Sequence, residues 1–162
     1  MPNPYKLHED SDGYYFVTDF EVIYRVVFDG LGDLFIDYPL IHRRIFSFSF
    51  HPTYPTLLSK RYDPRVKDTL ADIVHQFFNN QSNLIVFVCD STDGKENCRK
   101  RLFESWFDEY NNNILEKHDG YIAKGKAEQI QNSIILRSDL EDKKYVLEIF
   151  QGLNDELTLS KP

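Results

Sequence analysis

The run Leu84-Ile85-Val86-Phe87-Val88-Cys89 constrains this chain most, because it breaks off into Asp90-Ser91-Thr92-Asp93-Gly94-Lys95-Glu96. An unbroken apolar stretch rich in Val, Ile and Phe has no polar side to turn to water, so it predicts a strand buried on both faces. Two aspartates and a glycine at its carboxyl end predict a loop, followed at once by an amphipathic helix. Loops at that end of buried strands are where α/β sheets commonly place ligands. The run is far too short to cross a bilayer. The opening Met1-Pro2-Asn3-Pro4-Tyr5-Lys6 lacks the basic and apolar regions of a secretory signal, so a cytoplasmic location is expected.

Strand signals precede this point. Gly13 to Thr18 and Val22 to Phe28 are β-branched and aromatic, with Asp19 in the break between them, which suggests a hairpin. Gly30, Gly32 and Asp33 mark a turn or loop. Ile45-Phe46-Ser47-Phe48-Ser49-Phe50 then alternates with period two, placing three Phe on one face. His51 to Tyr62 contains Pro52 and Pro55 and reads as a loop. Asp63-Pro64 opens a helix, since Asp63 can accept from orphan amides and Pro64 has φ preset for the first turn. Val66, Leu70, Ile73, Val74, Phe77 and Phe78 carry its apolar stripe to about residue 79.

A second helix is expected over about 94–111, with Cys98, Leu102, Phe103, Trp106, Phe107 and Tyr110 inward and the Asn111-Asn112-Asn113 run as terminator. Trp106 is therefore expected in the core. Tyr121 to Lys124, Ile130 to Arg137 and Tyr145 to Phe150 read as strands, and residues from about Asn154 as a frayed tail. The order of elements implies a single α+β domain over 1–162, with a mainly antiparallel sheet and the helices at 63–79 and 94–111 packed on one face. A strand apolar on both sides then needs a second cover, from the N-terminal strands or from another subunit.

Several residue groups carry a resemblance. Asp63 to Leu70, Phe77-Phe78, Val88-Cys89-Asp90, Asp93-Gly94 and Arg99-Lys100-Arg101-Leu102-Phe103-Glu104-Ser105-Trp106-Phe107 together resemble an uncharacterised bacterial domain family. The Tyr14 to Phe28 and Phe46 to Phe50 patterns are similar to that family's N-terminal strands. The resemblance implies a compact domain of bacterial type. It brings no activity, cofactor or catalytic residue with it.

Composition removes several function classes. Cys89 and Cys98 are the only cysteines, so neither a disulfide framework nor a four-thiolate metal site can be built. Both read as buried structural thiols, with a redox pair across the strand–helix turn as the alternative. The net charge of −7 opposes a nucleic-acid partner or an anionic membrane, since both need clustered cations. Arg43-Arg44, Lys60-Arg61 and Arg99-Lys100-Arg101 are only local exceptions.

Asp90 and Asp93 are the candidate catalytic residues, because paired carboxylates can hold a hard cation or exchange protons. Competing with that, Asp93 and Glu96 have capping-box spacing, and Asp90 can accept from loop amides. The spacing departs from the Asp-x-Asp of haloacid-dehalogenase phosphatases, and no glycine-rich phosphate loop precedes Gly94-Lys95. Arg99, Lys100 and Arg101 are candidate ligand-binding residues. Lys95 and these three crowd the first half of their helix, with Glu104, Asp108 and Glu109 in the second, which opposes the helix dipole and implies a tertiary or anionic partner for the cations. Acidic groups of the same chain are the simpler partner, and a phosphate-bearing ligand the sharper one.

The five histidines show no metal-ligand spacing, no metal site is assigned and no cofactor is expected. The Phe46, Phe48, Phe50 row belongs under a helix rather than against nucleic-acid bases. The leading expectation is a non-catalytic domain acting through protein association, with a protein partner or a second copy of itself. Two alternatives stand beside it. One is a metal-dependent nuclease or phosphoryl-transfer enzyme using Asp90 and Asp93, since a strand ending in Asp before a basic helix resembles small ferredoxin-like nucleases. The other is a binder of small anions using Arg99 and Arg101.

Overall fold

A computed structural model describes residues 1–53, 61–89, 105, 107–111, 113–124 and 128–159. Seven strands, β1 (His8–Asp10), β2 (Gly13–Val17), β3 (Ile23–Gly30), β4 (Ile45–Pro52), β5 (Leu84–Cys89), β6 (Leu115–Lys124) and β7 (Glu128–Arg137), form a sheet in the order β1-β2-β3-β4-β5-β7-β6. The helices are α1 (Pro64–Phe77) and α2 (Lys143–Leu159), and residues 105 and 107–110 are also helical. The architecture is α+β, and the sheet is mostly antiparallel. The chain divides into two compact units, Met1–Asp29 with Ser47–Asn80 and Gly30–Phe46 with Gln81–Pro162.

In the first unit, β1 and β2 meet in a turn that requires Gly13. Its φ is +119°, and a Cβ there would meet the Val26 carbonyl oxygen at 3.1 Å. The expected hairpin of β2 with β3 is present, and its turn is closed by Thr18. The Thr18 hydroxyl accepts from the Phe20 and Val22 amides at 3.2 Å each. Helix α1 begins as the sequence implies: Asp63 Oδ1 accepts from the Arg65 amide at 3.0 Å, with Pro64 in the first turn. Phe28 stacks on Phe77 at 4.2 Å between ring centroids, and Phe48 packs against Phe28 and Phe50. Phe48 is buried, as its place in the period-two row implies.

The N-terminal residues are fastened to the start of α1. The Tyr5 amide donates to Thr69 Oγ1 at 2.8 Å and its hydroxyl to Asp63 Oδ2 at 2.7 Å, while Asn3 N donates to Asp68 Oδ2. Burial pushes the Tyr5 phenol above its usual pKa. The Arg65 guanidinium lies 3.8 Å from the centre of the Tyr5 ring and donates to the Asn3 carbonyl.

In the second unit, β7 runs between β5 and β6, and α2 packs on β6. The core comprises Phe35, Ile41, Ile45, Leu84, Val86, Ile134, Leu136, Val146 and Phe150. Leu84, Ile85 and Val86 are consecutive and all buried, so the first half of β5 is covered on both faces, as its apolar run implies. Phe87, the next residue, is half-buried. Asn111 ends the helical residues as expected: its side chain both accepts from the Leu115 amide (3.0 Å) and donates to the Leu115 carbonyl (2.8 Å).

Two readings need correction. Tyr145 to Phe150 is not a strand, and Asn154 to Leu159 is not a loose tail; both belong to α2, which continues to Leu159. Val146, Phe150 and Asn154 recur every four residues and are buried, which is the burial pattern of a helix. The short strand β1 also precedes the hairpin, and β6 is longer than its apolar residues suggested.

Candidate functional site

The residues singled out as catalytic or ligand-binding (Asp90, Asp93, Arg99, Lys100 and Arg101) lie outside the described residues, as do Glu96, Cys98 and Trp106. Among the described residues no group of three His, Cys, Asp or Glu side chains could hold a metal ion. Two other features of the second unit have the chemistry or exposure to matter.

The first is polar and sits on β6, β7 and α2. Strand alternation puts Glu116 and His118 on one face of β6 and Lys117 and Asp119 on the other. Lys143 from the start of α2 donates to Glu116 Oε1 at 3.0 Å, and His118 Nε2 lies 3.2 Å from Glu116 Oε2. The hydrogen bond from Lys143, aided by the one to His118, holds the Glu116 carboxyl below the usual range although burial opposes it. Farther along, Asn132 and Asn154 exchange hydrogen bonds in both directions, at 2.7 and 3.1 Å, and both are buried. Gly120 makes room for them. A Cβ there would meet Asn154 Nδ2 at 2.4 Å and Asn132 Oδ1 at 2.9 Å.

On the opposite face Ser133 donates to Asp119 Oδ1 at 2.5 Å, and Lys117 to the same oxygen at 2.7 Å. Ser133 and Asp119 are register partners, so their bond is the contact expected of directly opposed residues in an antiparallel ladder. Lys117 and Asp119 engage further partners as well. Among the described residues no hydrogen bond joins this serine to an imidazole that could take its proton. This arrangement fastens secondary structure together.

The second feature is apolar. Residues 31–44 coil through successive turns, with Tyr38 N donating to Phe35 O, Ile41 N to Tyr38 O and Arg44 N to Ile41 O, each at 2.9 Å. The coil turns Phe35 and Ile41 into the core. It turns Leu34, Ile36 and Leu40 outward, with 55%, 60% and 63% of their surface exposed. Arg44 fixes the coil from below. It donates to the Leu40 carbonyl at 3.0 Å, to the Ser82 carbonyl at 2.7 Å, and with both terminal nitrogens to Asp142 at 2.8 and 2.9 Å. This bidentate pair holds the Asp142 carboxyl below its ordinary pKa.

In the sequence, Gly30, Gly32 and Asp33 mark this segment only as a turn or loop. A signal was present. Leu31, Leu34, Phe35, Ile36, Tyr38, Leu40 and Ile41 crowd a stretch with neither strand nor helix period, so no single inward face can bury all of them.

Among the described residues no helix is long and apolar enough to cross a membrane. No curated protein sequence and no solved structure gives a significant match to the chain. A family model does match, over residues 62–152, a span that takes in α1, β5, β6, β7 and the first part of α2 but begins after the 31–44 coil. Covering more than half of the 162 residues, that match makes this chain a member of the family of unknown function DUF6169.

Proposed function

We propose that this protein is a non-catalytic binding module that acts by associating with another protein through Leu34, Ile36 and Leu40. The observation that carries this reading is the exposure of three large aliphatic side chains within seven residues. Exposed apolar residues scattered singly are ordinary, but grouped on one ordered segment they mark contact surfaces. The support beneath them fits that role. Arg44 and the buried Phe35 and Ile41 hold the segment in one shape, so little conformational entropy is lost when a partner docks.

A photo-crosslinking amino acid placed at Ile36 tests this in cells that produce the protein. The reading expects one saturable protein adduct from position 36 and none from the exposed control position Tyr62, and expects the adduct to vanish when Leu34→Ser and Leu40→Ser are added. Equal adducts from both positions would remove the reading.

The metal-dependent nuclease or phosphoryl-transfer reading through Asp90 and Asp93 makes a different demand. It expects Mg²⁺ or Mn²⁺ to raise the melting temperature, and Asp90→Asn to abolish the rise without unfolding the chain. Binding of small anions through Arg99, Lys100 and Arg101 expects the same of inorganic phosphate and an Arg99→Gln/Arg101→Gln variant. Either result would displace the association reading.

A further inference from the structure

Building on the association reading, we infer that the partner presented to Leu34, Ile36 and Leu40 is a basic amphipathic segment of a different protein, with Lys or Arg beside its bulky apolar side chains. Three observations converge on this chemistry. Asp33 and Asp37 are exposed, flank Leu34 and Ile36, and form no ion pair among the described residues. Of the two arginines that close the segment, Arg44 is already neutralised by Asp142, which leaves Arg43 as the one exposed cation of residues 31–44 against their two carboxylates.

The mode of docking is restricted too. The amides of Leu34, Phe35, Tyr38, Ile41, His42 and Arg44 donate to carbonyls inside the coil, so the segment is a chain of turns with no extended edge to offer a partner strand. Contact must be made by side chains, as when the apolar face of a helix lies against an apolar surface and its flanking charges meet a complementary rim.

A second copy of the chain is the poorer occupant. An isologous contact would gather four carboxylates, Asp33 and Asp37 of each copy, into one small interface between molecules that each carry a net charge of −7. A basic segment removes that repulsion and adds long-range attraction, which raises the association rate and makes it sensitive to salt.

The test is selection of peptides from a random displayed library on the 162-residue chain, with each enriched peptide then measured on variants. Peptides rich in Lys or Arg together with Leu, Ile or Phe are expected. Their affinity should fall with added salt and be lost on Leu34→Ser/Ile36→Ser/Leu40→Ser, and should drop by about tenfold on Asp33→Asn/Asp37→Asn. Enriched peptides that need the three apolar residues but are neutral or acidic, and are indifferent to Asp33→Asn/Asp37→Asn, would overturn the basic partner while leaving the association reading in place. No enrichment, or enrichment indifferent to the apolar residues, would overturn both. A dimer seen by light scattering and broken by the apolar triple substitution would overturn the inference in favour of a second copy.

Discussion

The two units of this chain fill their cores with different materials. The first sets a network of flat rings, Tyr5 on Phe16, Phe16 on Tyr24, Phe28 on both Phe48 and Phe77, and Phe77 on Phe78, beside the buried Val26, Leu70, Ile73 and Val74. The second relies mostly on branched aliphatic side chains, with Ile41, Ile45, Leu84, Val86, Ile134, Leu136 and Val146 around Phe35 and Phe150. Rings bury much area for few torsions, and their stacked or tilted contacts constrain alignment by shape. Aliphatic surfaces pack as densely but tolerate sliding and exchange more readily. Register in the second unit therefore needs another source, and the buried Asn132–Asn154 pair between β7 and α2 is suited to supply it.

The contrast can be broken at several points. The largest effect is expected at Phe16, fully buried and stacked from two sides. Phe16→Ala should destabilise by about 3–5 kcal/mol in urea titration, and a loss under 1 kcal/mol would deny the rings their role. Next comes the amide pair. Asn154→Ala leaves the Asn132 amide buried without its partner and should cost about 1–3 kcal/mol, whereas Asn132→Leu/Asn154→Leu should recover much of it. Hydrogen exchange across α2 would show whether the double variant keeps a single docked helix. Faster exchange at unchanged stability is the outcome expected of a lost register device.

A smaller effect, on the order of 1 kcal/mol after allowing for solvent screening, belongs to Arg44 and Asp142. The folded pKa of Asp142 is depressed, so the folded state binds its proton less readily than the unfolded chain does. Its contribution is present above the ordinary aspartate pKa of about 3.9 and is lost as pH falls through the lowered folded value. Asp142→Asn should flatten that part of the acid side of a stability–pH curve. A curve unchanged in slope would remove the ion pair from the account of the 31–44 coil. The smallest change is expected from Leu34→Ser, Ile36→Ser and Leu40→Ser, each within about 0.5 kcal/mol of the parent, because each side chain is already mostly in water. A loss of several kcal/mol there would make these residues packing rather than contact surface.

Legibility in the sequence followed the strength of local signals. Asp63-Pro64 before a stripe at helical spacing, and the unbroken Leu84 to Cys89 run, each admit one reading, and α1 and β5 appear where those signals put them. In Tyr145 to Phe150, four of the six residues are β-branched or aromatic, and local propensity pointed to a strand. The longer spacing of Val146, Phe150 and Asn154 decided for a helix, which tertiary burial then fixed. Gly152 obscured the pattern. It faces open space in α2, where it costs helix propensity without disturbing packing. The Asn132–Asn154 contact joins residues from two elements, one of them misread, so no local pattern could announce it. The exposed coil was hidden for another reason: periodicity reports faces, and a chain of turns has none.

The anchoring of that coil has a consequence for how the protein can change over generations. Arg44, Phe35 and Ile41 bear the structural requirement, while Leu34, Ile36 and Leu40 stand outside it on the same short stretch. Substitutions at the outward positions alter what is displayed without touching what supports it. On the association reading, preference for a partner can thus drift or be reselected while stability is held nearly constant, as with a variable tip on a fixed frame.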